Sequence, residues 1–486
     1  MTDSKGNPQR QPTLLASLIP LAVLTLLLYL VIRAFGADSI VGGSQIALLT
    51  STAVCAMVAI FGFGCSWESL DTAIADNLRA SGSAIIILLL IGAISGSWML
   101  SGVVPTMICY GLELLNPKIF LVATCMICAL VSLLTGSSWT TIATIGVAFM
   151  GIGSALGFQE GWIAGAIISG AYFGDKISVL SDTTVLASST VGVPIFTHIN
   201  YMLYTSLPAF IVAMIVFAIV GISGSPADVS DVSQYTNTLH STFHISPWLF
   251  AVPVLTGVLI ALRLPAIITL FVSTFMAALI MLFVQPEVMA EVAEVSLAQL
   301  DATSKFKAIF MGCYGSTSLE TPVAAVTDLI STRGMSGMLN TIWLIICAMC
   351  FGGAMAGSGM LETITRFFVR IVRRRSSIVA STLGSGIFFN LCTGDQYISI
   401  ILTGRLFKRL YEEQGLEDRL LSRSVEDSAT VTSVLIPWNS CGMTQATVLG
   451  VATFTYLPYC IFNIASPLIS LLVAAIGINI KRRAKG

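Results

Sequence analysis

SLLTGSSW (residues 132–139) and NLCTGDQY (residues 390–397) stand 258 positions apart, each in the middle of a long apolar run. Leu, Thr and Gly coincide in the two, and an aromatic closes both. A polar break of this kind is tolerated at membrane depth only where it is buried in protein or lines a wet cavity. The second break is flanked by arginines on both sides. Arg366, Arg370, Arg373, Arg374 and Arg375 precede it, and Arg405, Lys408, Arg409, Arg419 and Arg423 follow it. Positively charged loops face the cytoplasm, so both flanks are expected there. Residues 376–404 lie between them, too long for one span of roughly 20 residues and too short for two of roughly 40. The segment is therefore expected to enter and return as a re-entrant hairpin, with its tip at 390–396. The first-half equivalent is residues 119–146, with its tip at 135–138.

The rest of the chain supports a membrane setting. Of 486 residues, 55% are hydrophobic and 10% charged, against roughly a quarter charged in soluble domains. Apolar stretches at 14–32, 45–59, 84–99, 119–134, 207–220, 251–262, 267–282, 339–355 and 461–476 lead to an expected total of about a dozen embedded segments. The first is too long for a signal peptide and reads as a retained span. No basic domain is present, which argues against a nucleic-acid partner. Cys125/Cys128 and Cys347/Cys350 have CxxC spacing, but both pairs lie in apolar helices without a nearby histidine and read as small packing residues. No nucleophile–base or phosphate-loop motif points to an enzyme.

Two further matches support a duplication. GSWMLSG (residues 96–102) resembles GAMAGSG (residues 353–359) at an offset of 257. GDKISVLS (residues 174–181) resembles EDSATVTS (residues 426–433) at 252, setting Asp175 against Asp427. The loops equivalent to the basic ones, at 109–118 and 147–160, hold one lysine between them. Opposite charge bias in equivalent loops implies inverted-topology repeats. The expected fold is an all-α polytopic membrane protein of two such repeats, each with a re-entrant hairpin and a broken helix. The expected division is a cytoplasmic tail (1–12), a first repeat (13–222), a polar linker loop (223–246), a second repeat (247–480) and a basic cytoplasmic tail (481–486).

Na⁺ favours hard oxygen ligands, which Asp carboxylates, hydroxyls and backbone carbonyls supply. Five acids sit in embedded context: Asp175, Asp182, Asp395, Glu426 and Asp427. A helix starting near Glu417 puts Asp427 about 15 Å along it, and one starting near Glu160 puts Asp175 about 22 Å along, both within a core roughly 30 Å thick. A charged group at that depth is costly and reads as functional. Around the acids, Thr135, Ser137, Ser138, Ser181, Thr183, Thr393, Asn390 and Asn439 can add oxygen ligands. Lys176 either pairs with a vacated carboxylate or snorkels to the surface with Asp175 as a solvated partner. Pro437 breaks the helix that carries Asp427. Glu68 and Glu320 read as surface groups, and His198 as structural.

The runs TGSSW (135–139), GAIISGAYFGDKISVLSDTT (165–184), FTHINYM (196–202), TGDQY (393–397) and LSRSVEDSATVTSVLIPWNSCG (421–442) resemble the NhaC-type Na⁺/H⁺ antiporter family of the ion transporter superfamily. The likeness extends from about residue 45 to 470. It implies inverted repeats with paired hairpins, an elevator-like dimer, and Na⁺ extrusion driven by inward H⁺ flow in a bacterial plasma membrane. Lipid, Na⁺ and H⁺ are then the partners, and no cofactor is needed. By this resemblance Asp175, Asp182, Glu426 and Asp427 are the ion-binding positions, with Na⁺ on Asp175, Asp182 and Asp427. Val179 and Met443 depart from the family pattern without removing an oxygen ligand. Some members of the family exchange organic acids or amino acids together with Na⁺, which is the alternative reading. An arginine is lacking near the tips, whereas Trp139, Tyr397 and Trp438 leave room for an aromatic contact.

Overall fold

The computed structural model describes residues 11–35, 42–223, 229–262, 264–370 and 375–477. Lys5, Arg10, Arg373, Arg374 and the basic tail therefore lie outside the described residues, as do 224–228 of the expected linker. Among the described residues the chain is helical throughout, with one isolated bridge between Thr317 and Thr332. Eight helices are long and apolar enough to cross a membrane, or up to eleven if each bent pair is one span. The count falls short of a dozen because several embedded helices are short or carry too many charges to qualify by composition. Outward faces are apolar, as lipid requires. On Ile195–Ser223, Ile211, Ile215, Ile219 and Ile222 recur at helical spacing and are exposed, while Ala209, Ala213, Phe217 and Gly221 turn inward.

Both breaks are hairpin tips. The helix Phe120–Thr135 ends at Gly136, and Ser138–Ala155 returns from it. Arg375–Thr393 ends at Gly394, and Gln396–Glu413 returns. Both glycines have φ 66°, in the left-handed region that only glycine enters without strain. A Cβ on Gly136 would also sit 2.6 Å from the Leu180 carbonyl carbon, and one on Gly394 would sit 2.8 Å from the Ala348 Cβ. Each returning helix is capped by the residue after the glycine. Ser137 Oγ accepts from the Thr140 amide at 3.2 Å, and Asp395 Oδ1 from the Ile398 amide at 3.0 Å.

Each hairpin is followed by a broken helix. Glu160–Ile177 bends by 46° into Asp182–Val191. Asp418–Val425 continues through a π turn at Glu426–Thr430, breaks around Pro437, and resumes as Ser440–Leu449. The caps fix the register between the halves. Ser181 and Asn439 cap the second segments, Gly192 and Gly450 end them, and Ser137 and Asp395 cap the returning hairpin arms, each pair 258 residues apart. The match of residues 174–181 with 426–433 stands at 252, six short of the offset between these caps.

The halves interleave. Gly82–Leu100 packs on Ala266–Val284 and Ala302–Tyr314, and Leu339–Gly357 packs on Gly43–Met57 and Trp67–Ala80. The expected linker loop is largely a helix, Val229–Thr242. Its Val229, Val232, Tyr235 and Leu239, with Phe243 just past its end, recur every three to four residues, a helical period hidden by the polar composition, and Leu239 and Phe243 are buried. The acidic stretch after Gln285 forms a short helix, Pro286–Ala293, with Glu294 in a left-handed cap.

Candidate functional site

The hairpin tips and the first helix break meet around a cavity of about 660 Å³. Thr135, Ser137 and Ser138 line it from the first tip, Asp175 and Asp182 from the first broken helix, and Asp395 and Tyr397 from the second tip. Six of the expected ligands therefore share one space. Asp175 and Asp395 are the buried carboxylates among them. On Asp175 the two oxygens differ. Its Oδ2 accepts a 2.8 Å hydrogen bond from Ser138 Oγ, while Oδ1 has no hydrogen-bond partner among the described residues. The backbone beneath it is fixed by Ser132 Oγ, which donates to the Ala171 carbonyl at 2.6 Å, and by Ser178 Oγ, which donates to the Leu133 carbonyl at 2.8 Å. The first hairpin is thus bonded near its tip to the helix that carries Asp175 and to the break that follows it.

Asp182 is exposed to the cavity, and its Oδ2 accepts from the Tyr397 hydroxyl at 2.7 Å. Asp395 turns one oxygen to its cap and receives Ser440 Oγ on the other at 3.3 Å. Ser181 and Thr183 are buried beneath the wall and bond each other at 3.0 Å. Thr393, Asn390 and Asn439 hold the second tip together. Thr393 Oγ1 donates to the Phe389 carbonyl at 2.9 Å, Asn390 Nδ2 to the Ala429 carbonyl at 2.7 Å, and Asn439 Nδ2 to the Asn390 carbonyl at 3.2 Å.

Glu426 and Asp427 lie outside this cavity, fully buried. Of the two readings of Lys176, the structure has the buried one. Lys176 Nζ pairs with Asp427 Oδ1 and donates to Ser466 Oγ at 3.0 Å. Thr205 and Ser466 hydroxyls also donate to Asp427 Oδ1, at 3.2 and 3.1 Å. Arg423 Nε approaches Asp427 Oδ2 at 3.7 Å, and the guanidinium stacks over the Tyr201 ring at 4.8 Å. Arg423 is therefore not the surface charge that its place in a basic stretch suggested. It stands one turn before Asp427 on the same helix, a spacing that could have revealed the pair. Thr205 and Ser466 gave no such signal. His198 Nδ1 lies 2.8 Å from Ser422 Oγ and is buried, and Glu68 and Glu320 are exposed.

Three carboxylates face the cavity and, among the described residues, no lysine or arginine lines it, so its field favours a cation. Among the described residues no three His, Cys, Asp or Glu side chains converge as a metal cage. A small cation here would draw its remaining ligands from hydroxyls, carbonyls and water.

Residues 170–478 match the Na⁺/H⁺ antiporter family. A Na⁺/H⁺ antiporter NhaC of Alkalihalophilus pseudofirmus is 36% identical over 88% of this chain and 90% of its own. A Na⁺/H⁺ antiporter NhaC of Bacillus subtilis is 33% identical over 88% and 91%. A malate-2H⁺/Na⁺-lactate antiporter of Bacillus subtilis is 36% identical over 85% of each chain.

Proposed function

Because the chain belongs to the Na⁺/H⁺ antiporter family, we propose that it exchanges Na⁺ for H⁺ by alternating access, with Asp175 as the group that holds one or the other. The observation that carries this reading is a buried aspartate, one oxygen of which has no hydrogen-bond partner among the described residues, in the wall of a cavity rich in oxygen atoms. Asp182 and Asp395 complete the acidic wall, and the Thr135, Ser137 and Ser138 oxygens supply neutral ligands. Asp427 is a poorer Na⁺ ligand, since a third cation would have to displace Lys176 or Arg423 from a buried site. Its role in this reading is to anchor the first broken helix to the second.

The recurrence of hairpin, cap and break at one offset supports inverted repeats, and the basic flanks of the second hairpin support cytoplasmic termini. Each hairpin with its broken helix would move as a body against the interleaved helices, in an elevator-like step within a bacterial inner membrane and within a homodimer. The protein is a transporter in this reading, with no enzymatic step and no cofactor.

A second reading has a specific observation behind it. About 660 Å³ is more than one ion needs, and Trp139 and Tyr397 line the space. A small organic solute accompanying Na⁺ would fit, in line with the malate/lactate relative. Proteoliposomes holding a trapped pH dye separate the readings. Na⁺ alone should collapse an imposed pH gradient, and Asp175→Asn should abolish that. A wild-type protein that leaves the gradient intact with Na⁺, but dissipates it once an organic solute is added, would establish the second reading.

A further inference from the structure

A smaller cavity of about 320 Å³ lies beside the other helix break. Its wall repeats that of the large cavity in the register of the halves. Ser83, Ala84 and Ile87 line the large cavity, and 257 residues on, Asn340, Thr341 and Leu344 line the small one. Val179 and Leu180 of the first break line the large cavity, and 258 residues on, Pro437 and Trp438 of the second break line the small one. These are the offsets set independently by Gly102 and Gly359 and by the caps Ser181 and Asn439. Each cavity is also closed by helices of the opposite half, Ala266–Val284 at the large one and Leu14–Phe35 at the small one.

The two differ at the tips. Residues 135–140 of the first tip line the large cavity, whereas none of the described residues of the second tip lines the small one, and the Gly394 carbonyl accepts the Ser440 amide at 2.7 Å. The small cavity is thus the equivalent space with its tip still closed.

We infer that the small cavity is the second vestibule of the transport path, through which the cation enters or leaves from the opposite membrane face when the second tip opens and the first closes. The wall residues Asn340, Thr341, Trp438 and Thr447 then meet the hydrated ion, as Ser83, Thr140 and Tyr397 meet it on the open side. The inference rests on the alternating access proposed above. It adds which residues form the closed route. Asn340, Thr341, Thr447 and Thr453 place the polar groups of that route on an otherwise apolar wall.

Cysteine accessibility in proteoliposomes of known orientation tests it. Ser83→Cys and Asn340→Cys are each treated with a charged, membrane-impermeant thiol reagent from one face at a time, with the native protein giving the background from its own cysteines. Ser83→Cys should react from one face and Asn340→Cys from the other. Adding Na⁺ should change the two rates in opposite directions, by about fivefold or more. Modification of either should stop transport. Reaction of both from one face, rates that both ignore Na⁺, or full transport after Asn340→Cys is modified would each overturn the inference. Thr447→Cys replaces Asn340→Cys if the latter does not accumulate in the membrane. Native protein in the same vesicles reports Na⁺-driven H⁺ movement. Its absence counts against the proposed function, whereas its presence with a silent small cavity counts against this inference alone.

Discussion

The Tyr397 hydroxyl donates a 2.7 Å hydrogen bond to Asp182 Oδ2, and this contact spans the cavity from the second hairpin to the first broken helix. Tyr397 lies just after the second tip, and Asp182 opens the segment that follows the first helix break. A hydrogen bond to a carboxylate contributes about 1.5–3 kcal/mol when shielded from water, and less when exposed as here.

Tyr397→Phe keeps the ring and removes the donor. The expected result is a change in apparent Na⁺ affinity of less than about tenfold, matched by Asp182→Asn. The double variant should resemble either single one, with a coupling of about 1 kcal/mol in a double-mutant cycle. Strictly additive effects on the Na⁺ KM would mean that the contact plays no part in transport.

Ser138 holds Asp175 by its Oδ2, and Oδ1 has no hydrogen-bond partner among the described residues. Ser138→Ala removes one hydrogen bond without changing the charge. A loss of about 1–1.5 kcal/mol weakens apparent Na⁺ affinity about five- to tenfold. Maximal rate should change little, because the carboxylate that carries the ion remains. Asp175→Asn should abolish exchange while the protein still folds, since an amide can take the Ser138 bond. Flux measurements over a range of Na⁺ concentrations check both. An active Asp175→Asn variant would remove the central residue of the proposed site.

The buried pair of Lys176 and Asp427 makes a prediction about stability. Breaking such a pair by removing one partner costs about 3–5 kcal/mol, whereas replacing both by apolar groups of similar size is often neutral. Asp427→Leu strands both Lys176 and Arg423, and Lys176→Met leaves Asp427 with one cation at 3.7 Å. Asp427→Leu, which strands two cations, should therefore lower the thermal unfolding temperature in detergent more than the Lys176→Met, Asp427→Leu double variant, which strands Arg423 alone. If Asp427 were instead a free Na⁺ ligand, the double variant would gain nothing over Asp427→Leu.

How far the sequence reached depends on what kind of signal each feature carried. The hairpins were legible because length and charge acted together. A segment with basic flanks on one side of the membrane has to turn back, and a Gly among small polar residues marks where. Gly136 and Gly394 do adopt the turn conformation. The acids Asp175, Asp182 and Asp395 were legible as residues costly to embed, and the structure gathers them at one cavity. The shared offset of the backbone caps was not, because Asp and Ser identity at 252 says nothing of caps, which are a property of dihedral angles. The fate of Asp427 was hidden for a different reason. Its partners Lys176 and Ser466 are brought to it by tertiary packing from 251 and 39 residues away. The helix at Val229–Thr242 was missed because polar composition outweighed a regular apolar period.

The chemistry of the cavity wall leads to the last prediction, which concerns the organic solute. A carboxylate entering the space would face Asp175, Asp182 and Asp395, with no lysine or arginine among the described lining residues to meet it. Like charges around a site of low dielectric repel strongly, and one Na⁺ offsets only one of three. Malate and lactate are therefore expected to leave Na⁺-driven collapse of a pH gradient unchanged, in rate and in extent. A solute that competes should be a cation, such as Li⁺ or a small amine, which the same oxygens can receive. Dye-loaded proteoliposomes given Na⁺ with and without each compound make the comparison. Acceleration by either organic acid would show that a positive group reaches the cavity in another state, and it would favour the organic-solute reading over exchange of Na⁺ for H⁺ alone.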